Sequence, residues 1–261
     1  MRRGTSIVLS IVVVAALGGS IAYQLIPKDS TSRETFGQAL ARFRGEMRRA
    51  ANLPRHASAP IPAFGVYRYR TNGSESIDTT AFSTAHNYDG VSTIILTPTR
   101  CGVMEHWQPL TERWSEGNLC VGADSTHVIW VRDFHEFFER SKEVSYDCSG
   151  GEAPYSMQLR AGDRWQTRCE SDQGTIISRV RVIGIEKVPV AGEPIEAVHL
   201  RAGATLSGDP DGSDLRDSWI RRSDGLLLRR VDHSKAHVDV SGGGDFEEEY
   251  DLRLLSTQPQ R

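Results

Sequence analysis

Cys101, Cys120, Cys148 and Cys169 are the residues whose type and spacing carry chemistry most directly. No two of them form a Cys-x2-Cys pair, the usual half of a zinc site. An even number in an exported domain reads instead as disulfides. Three pairings are open. Cys101–Cys120 with Cys148–Cys169 is favoured, because each closes a short local segment. Loops of that size contribute roughly 3 kcal/mol each in the chain-entropy account.

The titratable groups are less specific. His233 and His237 are four apart, beside Asp232 and Asp239, which would suit a metal on a helix face. They fall on a polar, strand-like segment and read better as an exposed edge. His127 and His135 flank a strand near Asp133 and Glu136, where an acid–base pair can be drawn but no nucleophile stands beside it. Asp245, Glu247, Glu248 and Glu249 follow a glycine turn and offer oxygens of the kind calcium takes. A solvated strand edge has the same composition. No Gly-x-Ser-x-Gly elbow, phosphate-binding glycine loop or His-Glu-x-x-His site occurs. We expect no enzyme, no cofactor and no metal. Trp107, Trp114, Trp130, Trp165 and Trp219 read as core residues or as aromatic lining of a ligand cavity.

The element that must position all of this is the stretch Ile7–Ile26, 20 residues without a charge, preceded by Arg2 and Arg3. Its length suits a helix crossing the hydrocarbon layer. A cleaved signal ending at Ser20-Ile21-Ala22 is the alternative, although Leu25 and Ile26 continue the apolar run beyond it. The positive-inside rule keeps the arginine pair in the cytoplasm, so the expectation is a single-pass cell-membrane protein with its C-terminal domain extracytoplasmic.

Thr31–Leu53 follows as a predicted helix, with Phe36, Leu40, Phe43 and Met47 on one stripe and a cap among Ser30, Thr31 and Ser32. Its arginines either lie near lipid headgroups, or are merely solvated while the stripe packs on the domain. Pro54 ends it, and residues 54–62 form a proline-rich linker. The expected organisation is therefore 1–27 as tip and anchor, 28–62 as helix and linker, and 63–261 as the folded domain. Net charge is −3 overall, but residues 1–27 carry +2, 28–55 carry +4 and the rest −9. An acidic domain argues against nucleic acid as a partner.

From Gly65 the chain alternates apolar and polar residues in runs separated by turn signals: Asn72-Gly73, Pro109-Leu110, Ser223-Asp224-Gly225 and Gly242–Asp245. About ten strands are expected, with Cys148–Asp163 as a long loop. The predicted fold class is mainly β: a curved antiparallel sheet or half-barrel ectodomain after an N-terminal transmembrane helix and a short juxtamembrane helix.

The stretch Asp217-Ser-Trp219-Ile-Arg-Arg-Ser-Asp224-Gly225-Leu226-Leu-Leu-Arg229 resembles the hairpin of the periplasmic lipoprotein-carrier family, the LolA-like and LppX-like proteins. The general layout is also similar to that of uncharacterised membrane-anchored proteins of high-GC Gram-positive bacteria. The carrier resemblance implies an antiparallel half-barrel around an apolar cavity, with Trp219, Leu228, Leu200 and Val180 as cavity residues. The function it implies is an anchored extracytoplasmic module binding lipid or another apolar ligand. The alternative is a non-enzymatic structural or interaction domain of the cell envelope that docks a protein partner.

Overall fold

A computed structural model describes residues 30–53, 60–122, 125–239 and 243–261. The expected anchor, most of the proline-rich linker and Gly242 lie outside the described residues. Among those described, no helix is long and apolar enough to cross a membrane.

The helix α1 spans Phe36–Arg49 and passes into a 3-10 turn, Ala50–Asn52. Its cap is Thr35 rather than an earlier Ser or Thr. The Thr35 hydroxyl accepts from the Gln38 amide, and the Gln38 side chain accepts from the Thr35 amide, a reciprocal capping box. Ala39 and Phe43 bury against Val66 and Ile95, flanked by Phe36, Leu40 and Met47. The predicted stripe is real, and it packs on the domain. Arg42 reaches Gln108 at 2.8 Å, whereas Arg44, Arg48 and Arg49 are exposed.

Among the described residues thirteen strands follow: β1 (Gly65–Thr79), β2 (Ser83–Asn87), β3 (Gly90–Pro98), β4 (Gly102–Leu110), β5 (Arg113–Val121), β6 (Thr126–Phe137), β7 (Arg140–Gly150), β8 (Arg164–Glu170), β9 (Gly174–Val190), β10 (Glu193–Gly208), β11 (Asp211–Arg221), β12 (Leu227–Val238) and β13 (Gly244–Leu254). All neighbours pair antiparallel, and β13 returns to pair with β1 from Tyr69↔Leu254 to Thr79↔Gly244. The sheet is therefore a closed barrel, not the open curved sheet or half-barrel expected from the sequence. Twelve strands make the ring, and β2 continues the line of β3 along the same side of β1. Closure leaves the ring without a free edge.

The Asn72-Gly73 turn signal fails for a local reason. β1 runs straight through it, with β13 on one side and the β3-to-β2 handover on the other. Gly73 adopts φ +152°, and a Cβ there would lie 2.1 Å from the Glu249 carbonyl oxygen. The glycine serves a close backbone approach rather than a turn.

Period-two alternation then sorts side chains to the two faces. The outer faces carry charged pairs: Arg229–Asp251 at 2.9 Å, Lys235–Glu247 at 3.0 Å and Arg201–Asp217 at 2.9 Å. A barrel embedded in lipid shows the opposite pattern, an apolar outer band. Both predicted disulfides are present, Cys101–Cys120 tying the residue before β4 to β5, and Cys148–Cys169 between β7 and β8. The second sits where the ring is thinnest, since β7 and β8 pair only from Asp147↔Glu170 to Gly150↔Thr167.

Candidate functional site

The barrel interior is packed on one side and hollow on the other. On the β12-β13-β1-β3-β4 side, Tyr67, Tyr69, Trp107, Leu228, Tyr250 and Leu252 form a buried cluster. The Trp107 ring lies 4.5 Å from Tyr250, and its indole N–H donates to Ser92 at 3.0 Å. Beside this cluster is a cavity of about 810 Å³, bordered by its Tyr69, Leu227 and Tyr250 and walled elsewhere by β5 to β11, within the usual range for small-molecule sites. Its wall includes Leu119, Val131, Val144, Ile176, Val180, Leu200, Ala202, Ala204 and Leu206.

A layer of buried charge separates the two halves. Arg113 on β5 reaches Glu248 on β13 through two bonds, at 2.8 and 3.2 Å, and Tyr88 donates to the same carboxylate at 2.8 Å. Arg230 on β12 reaches Glu105 on β4 at 3.0 Å. Arg216 on β11 donates to Asp232, which also accepts from Tyr250 at 3.1 Å. Asp214 lies beside this group, with Oδ2 3.4 Å from Arg216 and a buried Oδ1 lacking a hydrogen-bond partner. Burial pushes Asp214 up to about 7; Arg216 opposes the rise and Asp232 adds to it. Burial also acts against the charge on Asp232, but Arg216 outweighs it and holds that carboxyl below its ordinary value. Neighbouring carboxylates are thus pushed apart by position relative to one guanidinium.

Both ends of the barrel are crossed by protein. At the end where β1 begins, residues 151–163 are held to both sides. Ala153 pairs with Thr126 at the β5–β6 turn, and Tyr155 donates to the Gly122 carbonyl. Ser156 then donates to the Arg222 carbonyl at the β11–β12 turn, at 3.0 Å. Those two turns lie on opposite sides of the ring. At the other end the β6–β7 hairpin leans onto β1 and β2. Glu75 accepts from His135 at 2.6 Å and from His86 at 2.9 Å, His86 stacks on Phe137 at 4.4 Å, and Phe82 meets Phe138 at 4.6 Å. Burial works against the Glu75 charge, yet His135, His86 and Arg113 outweigh it and lower the carboxyl to about 2.

The predicted cavity residues divide. Leu200 and Val180 line the hollow. Leu228 is buried in the packed half, 1% exposed. Trp219 stands outside the lumen, stacked on His199 at 4.2 Å, under Arg229 at 4.8 Å, with its indole N–H on Glu186 at 2.9 Å. The inward set on β11 is Asp214, Arg216, Ser218 and Ile220, so the tryptophan face of the resembling hairpin points out. Of the other tryptophans, Trp107 and Trp165 face inward, while Trp114 stacks on Phe134 and Trp130 lies under Arg132.

His127 and His135 are not brought together. Eight residues of β6 hold them roughly 25 Å apart. His135 joins Glu75 instead, and Asp133 sits 3.4 Å from Arg113. His233 and His237 occupy the outer face of β12, near Glu247 and Asp245 respectively. The acidic run splits by parity, with Glu247 and Glu249 outward and Glu248 buried on Arg113. Among the described residues no cluster fits a metal ion. Arg113, Arg216, Arg230, Glu105 and Glu75 escaped the sequence reading, because a charged residue in an alternating strand ordinarily marks the solvent face.

No protein-family model matches the chain, and no curated protein matches it. Among solved structures it is similar to the hypothetical lipoprotein YmcC from Escherichia coli (K12), at 11% identity and a TM-score of 0.35, over 88% of this chain and 100% of that chain. A likeness that remote assigns neither family nor ligand.

Proposed function

We propose that this protein is a non-enzymatic binding module, holding a lipid or another apolar ligand inside its barrel. The observation that carries the reading is the hollow of about 810 Å³ whose β5–β11 wall is mostly aliphatic. A structural barrel of this size would gain by filling that space with side chains, as the opposite half does. Instead the wall carries small residues, Ala202, Ala204, Ser178 and Ser218, where larger ones would close it. The two disulfides support an oxidising, extracytoplasmic location. In this reading the apolar stretch Ile7–Ile26 holds the barrel at the outer face of the cell membrane, with the N-terminus cytoplasmic. The ligand would arrive from that membrane or from an envelope protein.

Native mass spectrometry of the full chain, purified oxidised from an exporting host and released from detergent, tests this. A co-purifying mass in the lipid range, lost on organic extraction, is the expected result. A protein that carries nothing, and takes up nothing when lipid is offered, would return the barrel to an envelope interaction domain.

A further inference from the structure

The charge layer facing the hollow decides what head group an occupant can carry, and this inference rests on the hollow being a ligand site. Four guanidiniums line it among the described residues: Arg140, and Arg113, Arg216 and Arg230, each of the last three engaged by a carboxylate. Seven carboxylates share the described lining: Glu105, Glu116, Asp133, Asp214, Asp224, Asp232 and Glu248. At the mouth beside the β6–β7 hairpin, Lys142 is likewise held, by Asp209 at 2.5 Å. Carboxylates therefore outnumber cations along the described lining, although Arg230 keeps a buried Nε–H without a partner.

Asp214 is incompletely satisfied. One oxygen has no partner, the carboxyl otherwise meets Arg216 at 3.4 Å and the Asp232 side chain, and its side chain is 19% exposed. A hydroxyl or amine on a ligand would meet spare acceptor capacity there. A carboxylate or phosphate would meet like charge in a low-dielectric setting, where repulsion is least screened.

We infer that the hollow takes an amphiphile whose head donates hydrogen bonds and carries no negative charge, with its tail against the aliphatic wall and its head at Asp214, and that it rejects anionic lipids.

The test is calorimetric titration of the full chain, held in amphipol, with a long-chain fatty acid and with the monoacylglycerol of the same chain, near pH 8 where the free acid is ionised. The monoacylglycerol is expected to bind more tightly by about tenfold or more. Equal or tighter binding of the fatty acid overturns the inference and leaves the hollow a ligand site. Binding of neither overturns the ligand-site reading itself. Glu105→Gln supplies the second measurement, since it frees Arg230. The ratio of fatty-acid to monoacylglycerol affinity should rise; an unchanged ratio would mean that Glu105 only shapes the barrel, and would remove the charge argument.

Discussion

Arg113 and Glu248 are 135 residues apart in the chain and meet inside the barrel through two hydrogen bonds at 2.8 and 3.2 Å. They stand on β5 and β13, which are not neighbours in the ring, so the pair spans the lumen. Both residues line the hollow.

Removing one partner should be costly. Arg113→Met leaves Glu248 buried against Tyr88 without its cation, a loss of about 3–5 kcal/mol. The double variant Arg113→Met, Glu248→Leu should recover much of that, because no charge is then stranded. Urea unfolding of the three proteins measures both effects. If the single variant loses under 1 kcal/mol (roughly the worth of a surface pair), the pair does not act as a buried one.

Asp214 should make stability fall with rising pH. Its carboxyl titrates near 3.8 when the chain is unfolded and near 7 when folded. Between those values the folded state holds a proton that the unfolded state has released, so ionisation weighs against folding. Asp214→Asn should therefore raise the melting temperature at neutral and alkaline pH, with the gain vanishing as pH approaches 4. A constant difference across that range would contradict the assignment.

Glu75 has the opposite sign. Its carboxyl is lowered from 4.5 to about 2 by His135 and His86 against the effect of burial. Its contribution is fully present above about pH 4.5 and is lost as pH falls toward 2. Glu75→Gln should be less stable than the parent at neutral pH, and the gap should narrow below pH 4.5. Hydrogen exchange should locate the loss in the β6–β7 hairpin, which this carboxylate ties to β1 and β2.

The Cys148–Cys169 bridge holds the thinnest part of the ring. Replacing both cysteines with serine should cost roughly 3 kcal/mol. Amide exchange should quicken first along Asp147–Gly150 and Thr167–Glu170. Uniform loss of protection around the barrel would mean that no local seam exists.

Ala202 and Ala204 line the hollow, so Ala204→Trp should narrow it. Stability should change by no more than about 1–3 kcal/mol, and any co-purified ligand should be lost. Ligand affinity unchanged in a folded Ala204→Trp protein would place the site away from this wall.

Much of the architecture was legible before any coordinates. Alternation and turn chemistry predicted antiparallel β, and the 19- and 21-residue separations predicted both disulfides. The Phe36–Met47 stripe predicted α1, because these signals are local and repeat within a few residues. Period two says that a strand has two faces but not which one turns inward. The hairpin resemblance put Trp219 in the cavity, but its face of β11 turns outward, while Arg216 on the other face and Arg113 on β5 line the hollow. Only the meeting of β13 with β1 closes the sheet. Closure encloses a volume that charged residues from distant strands can share, and it makes a buried arginine tolerable by bringing it a carboxylate from across the ring. No local pattern encodes that pairing, since its two halves lie more than a hundred residues apart.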